Sequence, residues 1–276
     1  MGNWSETLLY SFQGANDGWA PYNGPLIFDQ VGNIYGTTTH SGYSGTVYEL
    51  VPTQGSWTKN ILYSFTGGSD GAGPLSELVF DTTGNLYGTT YMGGLGFGTV
   101  YELQPSGSGW IKTTLYNFQG STDGRSPIGG LIIDQSGNPF GTTPLGGAGG
   151  GGTIYELSPT RGGWAFTTIY AFTGNFFEGP TDSLSMDADG NLYGATFSDG
   201  HLGRGSVFKL APSNGGWTSY PLYDFLGGNN DGEYPYGGVA LDASGNLYGT
   251  TVNGGAHNYG VVWQITPQTL ATDHRP

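Results

Sequence analysis

Apolar residues fall along this chain in short runs separated by glycine-rich and polar stretches, and the same order of runs returns five times. Trp4, Trp57, Trp110, Trp164 and Trp217 each lead an apolar segment (LLYSF, ILYSF, TLYNF, TIYAF, PLYDF) at spacings of 53, 53, 54 and 53 residues. A run ending in Asp follows each time: LIFD (26–29), LVFD (78–81), LIID (131–134), LSMD (184–187) and VALD (239–242). Its continuous apolarity predicts a strand covered on both faces. A D-x-x-G-N turn then leads into NIYGTT, NLYGTT, NPFGTT, NLYGAT or NLYGTT, and each copy ends with GTVYEL, GTVYEL, GTIYEL, GSVFKL or GVVWQI. Four short antiparallel strands per copy, rich in β-branched and aromatic residues and without a helical period, predict a five-bladed β-propeller.

The phase of the repeat sets an expectation for closure. With the Asp-ending run innermost, the Trp-led strand is outermost, and the fifth copy stops one strand short near residues 265–267. The chain begins with an unpartnered strand of that type, residues 4–12. We therefore expect residues 1–276 to form a single all-β domain of four-stranded antiparallel blades, with repeats beginning near 4, 57, 110, 164 and 217. The N-terminal strand is expected to complete the last blade and cover its edge.

Composition narrows the partners. Lys and Arg total 7 against 21 Asp and Glu, a formal net charge of -14, which argues against a phosphate-tracking surface and so against nucleic acid. The absence of Cys removes disulfides and thiol chemistry. No apolar run is long enough to span a membrane, so no membrane insertion is expected, and any signal peptide or anchor would lie outside this sequence. A monomer is expected from a closed ring.

The combination D-x-x-G-N-[LI]-Y-G-T-T, a Gly-rich loop, G-T-V-[YF]-x-L-x-P and then W-x5-LYSF resembles the GloVer-type tandem repeats of bacterial surface and secreted proteins, over essentially the whole chain. The phase is similar to that of NHL-type propellers. This resemblance implies an extracellular bacterial propeller, often carried on an anchor, and brings no catalytic residues with it. Pro139 and Phe140 in the third copy, and GNFFEGPTDS in the fourth, depart from the pattern.

The repeated polar residues read first as architecture. Asp29, Asp81, Asp134, Asp187 and Asp242 start identical turns. DADG at 187–190 matches part of a calcium loop but lacks the remaining ligands, so calcium is only an alternative to turn formation and no cofactor is otherwise expected. Asp17, Asp70, Asp123 and Asp231 precede Gly in the blade-to-blade loops, where turn formation competes with a ring of sugar or metal sites.

Residues that do not repeat carry the functional signal. They lie in the blade-to-blade and second-to-third loops, which emerge on one face and vary from copy to copy. Ligand-binding candidates there are Trp19, Tyr22, His40, Tyr91, Arg125, Phe177, His201, Arg204, Tyr234, Tyr236, Asn258 and Tyr259. Catalytic candidates are Glu77, Glu178, Asp182, Glu233 and His257. Three of the histidines, His40, His201 and His257, fall in one sector of the closed ring, where a metal site is one reading and ordinary exposed residues the other. Aromatics beside acids and amides are suited to sugar: ring faces stack on C–H surfaces while carboxylates and amides take hydroxyls. The leading expectation is a secreted or cell-surface carbohydrate-binding propeller with one asymmetric site. The alternatives are a polysaccharide-degrading enzyme, as a glycoside hydrolase with two carboxylates about 5–9.5 Å apart or as a lyase, and a structural surface module.

Overall fold

The computed structural model describes residues 4–21, 25–40, 44–107, 109–174 and 179–267. Two compact units divide the chain, residues 1–176 and 177–276. The first holds three antiparallel four-stranded sheets in sequence order. These are β1 (Ile27–Phe28), β2 (Ile34–Thr38), β3 (Thr46–Thr53) and β4 (Ser56–Ser64); β5 (Val79–Phe80), β6 (Leu86–Thr90), β7 (Thr99–Ser106) and β8 (Gly109–Asn117); and β9 (Ile132–Ile133), β10 (Pro139–Thr143), β11 (Gly150–Thr160) and β12 (Gly163–Thr173). The second holds β13 (Ser185–Met186), β14 (Leu192–Thr196), β15 (Ser206–Ser213) and β16 (Gly216–Asp224) as a fourth such sheet. A ribbon of β17 (Gly232–Glu233) with β20 (Asn253–Gly254) stands beside the three-stranded sheet of β18 (Ala240–Leu241), β19 (Leu247–Thr250) and β21 (Val262–Ile265). The chain is the five-bladed β-propeller that its repeat predicts, one blade per copy.

The signature residues explain the blade. Asp29 opens the inner hairpin by accepting the N–H groups of Val31 (3.0 Å) and Asn33 (2.9 Å) on one oxygen, and the Asn33 amide (2.8 Å) and Tyr35 hydroxyl (3.1 Å) on the other. Asp187 does the same with Asp189, Asn191 and Tyr193 at 2.7–3.0 Å, so DADG spends its first carboxylate on the turn. Glycine in YGTT lies opposite the aromatic of the third strand in every blade: Gly36 and Tyr48, Gly88 and Tyr101, Gly141 and Tyr155, Gly194 and Phe208, Gly249 and Trp263. The ring crosses over the glycine, and a Cβ on Gly88 would stand 2.5 Å from the Tyr101 hydroxyl. Here the missing side chain is what admits the ring.

Blades are joined by an aromatic seam. Phe65, at the end of the first blade's outer strand, meets Tyr101 of the next blade edge-on at 5.1 Å, Phe118 meets Tyr155 at 5.2 Å, and Phe225 meets Trp263 at 5.8 Å. Around each, apolar residues of neighbouring sheets form one cluster, for example Tyr35, Val47, Phe65, Leu78, Leu86, Tyr101 and Leu103.

The N-terminal segment enters this scheme from one side. Phe12 meets Tyr48 edge-on at 5.2 Å, and Leu9, Tyr10 and Phe12 pack on Ile34, Tyr48 and Leu50 of the first blade, as an outer strand packs on the blade that follows it. Residues 4–12 nevertheless form no strand, Trp4 is fully exposed, and the last blade has three strands where four were expected. The side chains of the segment have found their seat, while its backbone is not part of a ladder. The other blades pair third and outer strands with a β-bulge at the same point, between Val47 and Tyr48, Val100 and Tyr101, Ile154 and Tyr155, and Val207 and Phe208.

The seam predicts a graded response to truncation. Phe65→Ala, at a buried position, should cost about 3–5 kcal/mol, and Phe12→Ala, half-buried, about 1–3 kcal/mol in urea unfolding. A neutral Phe12→Ala would mean the N-terminal segment is a passive tail.

Candidate functional site

Each blade is opened by a tripeptide ending in Pro, whose middle residue is small in four copies and Tyr in the fifth: WAP at 19–21, AGP at 72–74, RSP at 125–127, EGP at 178–180 and EYP at 233–235. The first residue forms an antiparallel bridge with the residue just beyond the second strand: Trp19 with His40, Ala72 with Met92, Arg125 with Leu145, Glu233 with Asn253. The middle residue is left-handed, with φ of 54° at Ala20, 63° at Gly73, 56° at Ser126 and 62° at Tyr234. Its carbonyl accepts the N–H of Thr39 (3.1 Å), Tyr91 (2.9 Å) or Val252 (3.0 Å), and Gly179 accepts that of Phe197 (3.2 Å). The bridge is therefore a fixed backbone device that presents a different side-chain pair in each of these four blades.

Small residues suit the left-handed position, and a tyrosine there costs about 1–2 kcal/mol. Tyr234 is held by its own N–H donating to the Arg204 carbonyl at 2.8 Å. Its ring stacks on Phe197, with centroids 5.1 Å apart and planes at 26°. Phe197 also meets Tyr236 at 6.0 Å and 89°, so three rings form a right-angled corner with Tyr236 half exposed. Beside it, Arg204 Nη1 donates to Glu233 Oε2 at 2.8 Å. Asp182 accepts the N–H of Gly238 at 2.8 Å and of Ser183 at 2.7 Å, and the Thr181 hydroxyl donates to the Tyr236 carbonyl at 2.8 Å. Five of the sequence candidates, Asp182, Arg204, Glu233, Tyr234 and Tyr236, thus meet in one cluster of the second unit.

The other candidates are dispersed. Trp19 and His40 form a separate shelf in the first unit, their rings stacked at 4.3 Å and 25°, with the Thr39 hydroxyl 2.6 Å from His40 Nδ1. Tyr91 lies in the first unit at the position equivalent to Phe197, and Arg125 occupies the bridge of the third blade. Glu77 borders a cavity of about 360 Å³ under the N-terminal segment, with Tyr10, Tyr48 and Ser76, and its side chain lies against Gly130. The His201 N–H donates to Asp224 at 3.3 Å, and its side chain is exposed. His257 and Tyr259 are exposed in a loop that Asn258 caps by accepting the Gly254 N–H at 3.0 Å. Tyr22, Phe177 and Glu178 lie outside the described residues. Among the described residues no three His, Asp or Glu side chains come together as a metal set. Phe197 and Asn253 escaped the sequence reading. The recurring tripeptide ending in Pro and the residue pair beyond each YGTT strand would have found them.

The Asp-Gly acids are clamps. The Tyr63 hydroxyl donates to Asp70 at 2.8 Å, as do the Thr66 N–H at 2.8 Å and the Lys112 ammonium at 3.0 Å. Asp17 has the matching set of Tyr10, Gln13 and Lys59 at 2.7–2.9 Å. Asp123 takes Tyr116 and Gln119 at 2.7–3.0 Å, and Asp231 takes Tyr223 and Leu226 at 2.6–3.0 Å. Burial pushes the Asp70 carboxyl up, but the Thr66 N–H, the Tyr63 hydroxyl and Lys112 outweigh it and hold the group below the usual carboxylate range. Burial first, and then Asp70, push Tyr63 up to about 12.

The sequence profile of a family described as the Gloeobacter/Verrucomicrobia repeat matches residues 2–184 and 113–274. No curated protein matches the chain. Among solved structures, a provisionally assigned gluconolactonase superposes with a TM-score of 0.50 at 14% identity, over 90% of this chain and 76% of that one. The extracellular domain of a provisionally assigned one-component system from B. thetaiotaomicron gives a TM-score of 0.55 at 11% identity, over 89% of this chain and 27% of that one. A protein of unknown function from Dyadobacter fermentans gives 0.49 at 14% identity, over 88% of this chain and 82% of that one. At these identities the likeness is one of fold.

The clamps predict an acid limb of stability. Because the folded Asp70 pKa lies below the unfolded value, its contribution is fully present above about pH 4 and is lost as pH falls through the folded pKa. Urea midpoints measured from pH 7 to pH 2 should fall less steeply in Asp70→Asn than in the wild type. Parallel curves would remove Asp70 from the account.

Proposed function

Because the chain belongs to the Gloeobacter/Verrucomicrobia repeat family, we propose that it is a carbohydrate-binding β-propeller of the secreted or cell-surface kind, with one asymmetric site. That site is the cluster of Phe197, Tyr234 and Tyr236 beside Arg204, Glu233 and Asp182. The observation that carries the reading is Tyr234: a bulky ring kept at a left-handed position where the other blades use Ala, Gly or Ser, and held against Phe197. Strain of this kind persists where surrounding structure over-determines it, and functional sites are where it collects. A pyranose can lie on exposed ring surface while the carboxylates and the Asn253 amide take its hydroxyls.

Binding is favoured over hydrolysis. A glycoside hydrolase needs one carboxyl to give up a proton and a second to attack or to activate water. Glu233 is occupied by Arg204, and Asp182 by two backbone N–H groups. Surface or extracellular placement accords with the repeat family and with the extracellular fold relative. No helix among the described residues is long and apolar enough to cross a membrane.

Tyr234→Asn separates function from fold, since Asn tolerates the left-handed region. On a glycan array followed by calorimetry, it should lose binding by about tenfold or more, while Tm stays within a few degrees of the wild type. Tyr236→Ala should behave alike. Undiminished binding by both variants would remove the cluster as the site.

A further inference from the structure

Resting on the carbohydrate reading of this cluster, we propose that its ligand is a cationic amino sugar, a hexosamine unit bearing a free ammonium, and neither a uronate nor a fully neutral glycan. Two independent features lead there. The first is charge. Residues 177–276 contain ten acids against three Lys and Arg, and the charged side chains that the structure places at the cluster are Asp182, Glu233 and Arg204. Arg204 Nη1 is engaged with Glu233 at 2.8 Å, so it adds no free positive charge. The local field is negative, which draws cations and repels polyanions.

The second feature is ring geometry. Phe197 and Tyr234 stack, and Tyr236 stands at 89° to Phe197 with half its surface in solvent. A corner of ring faces is electron-rich, and an ammonium seated over it gains cation–π attraction that a hydroxyl or an acetamide does not. Glu233, the residue that precedes Tyr234 in the chain, supplies the counter-ion. Arg204, on this reading, is a competitor that holds Glu233 in place when the site is empty and yields part of it to the ligand.

Arg204 therefore gives the test its sign. Binding of glucosamine oligomers, their fully N-acetylated counterparts, cello-oligosaccharides and galacturonate oligomers would be measured by calorimetry on the full chain. The wild type should prefer the free amine over the N-acetylated form by about tenfold. Preference should shrink as salt rises from 50 to 500 mM, because the attraction is screened (about 10 Å Debye length at 0.1 M). Arg204→Met should tighten the amine several-fold, since Glu233 loses its internal partner, whereas in a uronate site it would abolish binding. Glu233→Gln, which keeps a hydrogen-bond acceptor for Arg204 without the charge, should weaken the amine by a larger factor than it weakens cello-oligosaccharides, and an equal loss for both would overturn the counter-ion role. It also serves if Arg204→Met does not fold. Equal binding of amine, N-acetyl and neutral oligomers would overturn the amino-sugar assignment while leaving the carbohydrate reading intact. Preference for galacturonate would overturn it in the same way. Binding of choline with no binding of any oligosaccharide would overturn both.

Discussion

The contact on which this propeller depends is one aromatic ring set against another across the seams between neighbouring blades within each unit. Phenylalanine at the end of an outer strand meets the third-strand aromatic of the next blade, Phe65 on Tyr101, Phe118 on Tyr155 and Phe225 on Trp263. That aromatic reaches its place only because the facing residue of the second strand is glycine. Close by, a Tyr–Asp pair fixes the loop into the next blade, reinforced by Lys59 and Lys112 in two cases. In the third blade the lysine position holds Phe166, which stacks on Tyr116 at 3.9 Å and supports the Asp123 clamp with a ring where the others use a charge.

A scaffold fixed this way frees the loops. The bridge of the tripeptide keeps its backbone in the first, second, third and fifth blades, so the side chains on it are under no common structural demand. They become an indole on an imidazole, Ala with Met, Arg with Leu, and Glu with Asn. At Tyr234 the left-handed residue itself carries a bulky ring where Ala20, Gly73 and Ser126 are small, and there the backbone bears a cost that the fold does not require.

The fold was legible because its determinants are local and repeated: the turn aspartates, the YGTT glycines and the third-strand aromatics each mark the same place in every copy. Closure was legible only in part. The apolar pattern of residues 4–12 predicts the outer strand of the last blade; Leu9, Tyr10 and Phe12 pack on the first blade, while no ladder hydrogen bonds join the segment to the last one. Packing and ladder formation are separate requirements, and an apolar pattern reports on the first. Of the site, Glu233, Arg204, Tyr234, Tyr236 and Asp182 stood out as residues that break the repeat. Their convergence was hidden, because Arg204 and Glu233 are 29 residues apart and meet through loops of different blades. Phe197 was disguised by its position directly after a repeated strand. The turn aspartates read as architecture from the sequence, and at DADG the oxygens of Asp187 are filled by N–H and hydroxyl donors.

The central claim is that the variable loops of the last two blades, and specifically the ring corner beside Arg204 and Glu233, receive the ligand. Hydrogen–deuterium exchange on the full chain, with and without saturating oligosaccharide, tests this most directly. The account predicts added protection over residues 197–204 and 233–238 with the turns of the inner hairpins unchanged. Protection confined to other loops, or none at all with ligand bound, would contradict it.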